Sequence, residues 1–85
     1  MSNDYNQYQI KALLEKLNKK GVESVYRLIK TCKPTSGITP YSALISDLIG
    51  CCPSADEWRY PRVRVLFEKD VVYYCKYYLS EDNKS

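Results

Sequence analysis

The sequence predicts a small α+β domain, three or four helices followed by a β-strand or β-hairpin. Two observations predict it. Leucines and isoleucines recur at helical spacing between residues 10 and 49, and the run 71–79 is rich in β-branched and aromatic side chains. A length of 85 residues allows one core and no second lobe, so residues 1–85 read as one domain with flexible tails at 1–5 and 80–85.

The first helix is expected over 6–20, because Ile10, Leu13, Leu14 and Leu17 fall at i, i+3, i+4 and i+7. Lys19 and Lys20 suit a last turn, and Gly21 suits the residue after it. A second helix over 22–32 follows from Val22, Val25, Tyr26, Ile29 and Cys32, which share one face. Pro34 cannot continue it, and residues 33–37 read as a loop. A third helix over 40–49 starts strongly: Thr39 can cap the free amides and Pro40 suits the first helical position. Leu44, Ile45, Leu48 and Ile49 supply its stripe, and Gly50 marks its end. After the turn at Cys51-Cys52-Pro53, Ser54 offers a new cap ahead of Asp56 and Glu57, acids that favour a helix start.

From Arg59 the pattern divides. A helix starting at Pro61 places Val63, Leu66 and Phe67 on one face; a strand makes Val63, Val65 and Phe67 alternate with Arg62 and Arg64. Residues 71–79 are expected as a strand, although Val63, Phe67, Val71, Tyr74 and Tyr78 also fit helical spacing. Were both halves strands, a loop at Glu68-Lys69-Asp70 would pair Val65 with Tyr73, but it lacks the glycine such turns favour.

Composition excludes much chemistry. Histidine is absent, which removes the usual general base near neutral pH and the commonest metal ligand, and leaves Lys or Tyr as candidate bases. No glycine-rich phosphate cradle exists among three glycines. The chain is therefore expected to be no enzyme. The N-terminus is polar and no apolar run approaches the ~20 residues of a membrane span, so a cytoplasmic protein without membrane contact is expected. Cys32, Cys51, Cys52 and Cys75 lack the spacing of a zinc site, so neither metal nor other cofactor is expected. Reduced thiols are the default, with Cys32 and Cys75 on apolar faces.

Charge is distributed in blocks around a net +3. Residues 1–33 carry Lys11, Lys16, Lys19, Lys20, Arg27, Lys30 and Lys33 against Asp4, Glu15 and Glu23. Residues 34–58 carry only the acids Asp47, Asp56 and Glu57. Residues 59–76 carry Arg59, Arg62, Arg64, Lys69 and Lys76 against Glu68 and Asp70. Positive faces attract phosphate backbones by releasing counterions, whereas the plainer reading is ordinary solvated surface. Nine tyrosines include Tyr73, Tyr74, Tyr77 and Tyr78. On a strand, Tyr73 and Tyr77 share a face with Cys75, and Tyr74 and Tyr78 share the other with Lys76. The outer pair, Tyr74 and Tyr78, is the candidate for stacking on nucleobases, although tyrosines also complete small cores. The candidate nucleic-acid-binding residues are thus Arg59, Arg62, Arg64, Lys69, Lys76, Tyr74 and Tyr78. Trp58 reads as a core anchor beneath the arginines.

Residues 39–79 resemble winged helix-turn-helix domains. The matching pieces are the Thr39-Pro40 start, Leu48-Ile49-Gly50, the turn Cys51-Cys52-Pro53-Ser54, Leu66-Phe67-Glu68-Lys69-Asp70, and Val71-Val72-Tyr73-Tyr74 as the start of a wing. Pro61 and Asp70 depart from that pattern. The resemblance implies a winged-helix-like fold and a DNA-binding regulator or accessory protein, with DNA or RNA as partner. The alternative is a small protein–protein interaction subunit, viral or mobile-element encoded, that docks on a larger enzyme or complex through its tyrosine-rich strand. A homodimer is a further option for so small a core.

Overall fold

The computed structural model describes residues 2–33 and 39–83 and contains five helices there: α1 (Ser2–Lys20), α2 (Val22–Thr31), α3 (Pro40–Cys51), α4 (Ala55–Trp58) and α5 (Pro61–Asn83). The expected loop at 33–37 lies, from Pro34 onward, outside the described residues. Of the expected tails, residues 2–5 and 80–83 continue α1 and α5.

Helix α5 organises the rest, with α1 and α3 packed along it, α2 touching all three, and the short α4 leading into it. The α1 stripe Ile10, Leu13 and Leu17 is buried, as are Val25, Tyr26 and Ile29 of α2 and Leu44, Ile45 and Leu48 of α3. The one buried polar side chain of the described core, Asn6, accepts a hydrogen bond from the Tyr41 amide at 3.3 Å, tying α1 to the first turn of α3.

The helix boundaries have local causes. Gly21 separates α1 from α2 with φ 90° and ψ 168°, a conformation that a Cβ opposes, and its amide closes α1 on the Leu17 carbonyl at 3.0 Å. Thr39 Oγ1 accepts from the Ser42 amide at 3.1 Å, and Pro40 opens α3, which runs one residue past Gly50. Ser54 and Glu57 form a reciprocal capping box on α4. Trp58, at the end of α4, stacks on Tyr26 with centroids 3.7 Å apart, and Phe67 stands edge-on to both rings. The Tyr26 hydroxyl then donates to the Pro53 carbonyl at 2.9 Å, which fixes the α3–α4 turn.

The α+β expectation is corrected here: among the described residues there is no strand or hairpin. The segment 71–79, expected as the strand opening a wing, is the C-terminal half of α5, and Pro61 begins this helix rather than interrupting one. Two physical reasons decide it. Phe67, Val71 and Cys75 are buried at four-residue steps, with Val63, Tyr74 and Tyr78 partly buried beside them, so the helical stripe meets the core set by α1–α3. A lone hairpin would have no third strand to pair with, and the preference of Val and Tyr for strands holds only where a sheet exists to pack them.

Candidate functional site

Because α5 buries only one stripe, its opposite side faces solvent. Arg62, Lys69 and Lys76 lie there, all exposed. Seven-residue steps drift only ~20° around a helix and advance roughly 10 Å, so the three bases form one line along α5. Among the described residues none of the three makes an ion pair, whereas Lys19 pairs with Glu15 at 3.5 Å and Arg27 with Glu23 at 2.8 Å. Leu66, Tyr73 and Tyr77 flank the line on one side at 54, 63 and 47% exposure, and Val65 flanks the other. Val65, Lys69, Val72 and Tyr73 line a shallow groove on this face, bordered also by Glu68.

The structure separates the residues expected to bind. Arg62, Lys69 and Lys76 come together. Arg64 turns back: its Nε donates to the Trp58 carbonyl at 2.7 Å and its guanidinium covers the Trp58 ring. Arg59 lies over the exposed Tyr60 ring. Tyr74 and Tyr78, expected outermost, are the packed pair. The Tyr78 hydroxyl donates to Asp47 Oδ2 at 2.5 Å across to α3, and burial together with that bond raises its pKa. Tyr73 and Tyr77 are the exposed pair instead, because 100° per residue replaces the alternation of a strand. The signal that finds them is the helical spacing of Phe67, Val71 and Tyr78, which makes Tyr73 and Tyr77 outward positions.

The cysteines lie apart from this face and are free thiols. Burial, then the nearby Asp70 carboxylate, pushes Cys51 up to about 11, and burial pushes Cys75 up to about 12, so both stay protonated at neutral pH. Among the described residues no cluster of three or more Cys, Asp or Glu could hold a metal ion. An open groove of about 520 Å³ on the far side of α1 is lined by Ala12, Leu13, Leu28 and Tyr41 with Lys16 and Lys20. Among the described residues no helix is long and apolar enough to cross a membrane.

The α5 face can thus bind anions and offer aromatic surface. Comparison with protein-family models, curated proteins and solved structures finds no match to this chain.

Proposed function

We propose that this chain is a nucleic-acid-binding regulator or accessory factor with no catalytic step of its own, and that the outer face of α5 is its contact surface. One observation carries the reading: three bases with no ion pair among the described residues stand in line beside exposed tyrosines on a helix whose other side packs on the core. A phosphate backbone supplies charge at regular intervals along such a line. Self-association through the same face is disfavoured, since it would press two cationic lines together.

The test is a salt titration of binding to single- and double-stranded DNA and RNA. Each neutralised phosphate contributes ~0.7–0.9 to the slope of log affinity against log salt. The triple variant Arg62→Ala, Lys69→Ala, Lys76→Ala should therefore lower the slope by roughly 2–3. Arg27→Ala, already paired with Glu23, should leave it nearly unchanged. Absence of binding at low salt, or a triple variant that binds like the parent, overturns the reading. The exposed Val65 and Leu66 would then favour docking on an acidic protein surface.

A further inference from the structure

Resting on the nucleic-acid reading above, we infer that the α5 face takes a single strand, DNA or RNA, whose unpaired bases stack on Tyr73 and Tyr77 while Arg62, Lys69 and Lys76 hold its phosphates. Tyr73 and Tyr77 are the exposed rings of the tyrosine-rich segment, at 63 and 47%. A duplex hides its base faces in its own stack, whereas a single strand presents them, and aromatic rings capture them without regard to sequence.

The geometry of the pair suits that task. The two residues are four apart, so their Cα atoms are separated by roughly 6 Å along the axis. That spacing is near two ~3.4 Å steps of a stacked strand, so successive bases of one strand can reach both positions. The rings make no contact with each other. Each rests instead edge-on against its inner neighbour: Tyr73 on Tyr74 at 5.3 Å and 74°, Tyr77 on Tyr78 at 5.0 Å and 85°. Tyr78 is itself held by Asp47. An exposed ring supported in this way has less rotational freedom to lose when it captures a base.

Fluorescence anisotropy with oligo(dT), oligo(U) and a mixed-sequence DNA duplex decides it, with helicity of each variant checked by circular dichroism. The parent should prefer either single strand to duplex. Tyr73→Ala with Tyr77→Ala should weaken single-strand binding about tenfold or more, leaving duplex binding and the salt slope unchanged. Tyr73→Phe with Tyr77→Phe keeps both ring faces and should bind like the parent. Tight single-strand binding that is indifferent to the alanine pair, or duplex binding equal to single-strand binding, overturns this inference and leaves the broader reading standing. No binding by the parent to any of the three overturns both.

Discussion

Replacing Phe67 by Ala tests the helical assignment of α5 at its most consequential residue. Phe67 is 1% exposed and sits edge-on to Trp58 at 5.6 Å and to Tyr26 at 5.9 Å. Truncating so buried an aromatic costs ~3–5 kcal/mol through lost transfer energy and the cavity left behind. An 85-residue domain is stable by about 4–13 kcal/mol, so the variant should lose much of its stability. Val65 is the internal control. On the helix it is 50% exposed and belongs neither to the buried core nor to the residues packed against it, so Val65→Ala should change stability by no more than about 0.5 kcal/mol. On a strand the two residues would share one buried face and both truncations would be costly. Urea unfolding followed by the fluorescence of Trp58, the only tryptophan, reads both variants against the same probe. A Val65→Ala cost comparable to that of Phe67→Ala would refute the helical register, and so would a Phe67→Ala cost below about 1 kcal/mol.

Three further outcomes follow from local features. Gly21→Ala should destabilise by about 1–3 kcal/mol in the same unfolding assay, although a Cβ there meets no atom within 4 Å; the cost is purely that of φ 90° and ψ 168°. Tyr78→Phe removes the hydroxyl bound to Asp47 and should cost about 1–2 kcal/mol, while Tyr77→Phe, whose hydroxyl has no described partner, should cost less than about 0.5 kcal/mol. Stability should fall in alkali, because burial raises the Cys75 thiol from 9.0 to about 12 in the fold. The unfolded thiol loses its proton first, so stability holds below pH 9 and declines between 9 and 12. Cys75→Ala should flatten that decline in pH-dependent unfolding, and an unchanged profile would contradict the burial.

The sequence is most legible where one periodicity stands alone. In α1, α2 and α3 the apolar residues recur only at helical spacing, and Gly21, Thr39-Pro40 and Ser54 act through their own backbone geometry or side-chain oxygen, which needs no distant partner. The cationic half of the candidate site is legible for a similar reason: Arg62, Lys69 and Lys76 are bases in a block with few acids wherever they fold. The aromatic half is not. In residues 61–79 the valines and tyrosines satisfy a period of two and a period near 3.6 at once, so local preference cannot choose between them.

What the sequence determined by itself is the set of helix punctuation marks, the apolar stripes of the first three helices, and the charge of the second basic block. What only the tertiary structure decided is the conformation of residues 61–83, and with it which tyrosines face outward. The core built by Leu17, Ile29, Leu44 and Leu48 accepts one continuous stripe of Phe67, Val71 and Cys75, and among the described residues there is no strand with which 71–79 could share ladder hydrogen bonds. Once that stripe is buried, helical rotation turns Tyr74 and Tyr78 towards α3 and leaves Tyr73 and Tyr77 in solvent beside the bases.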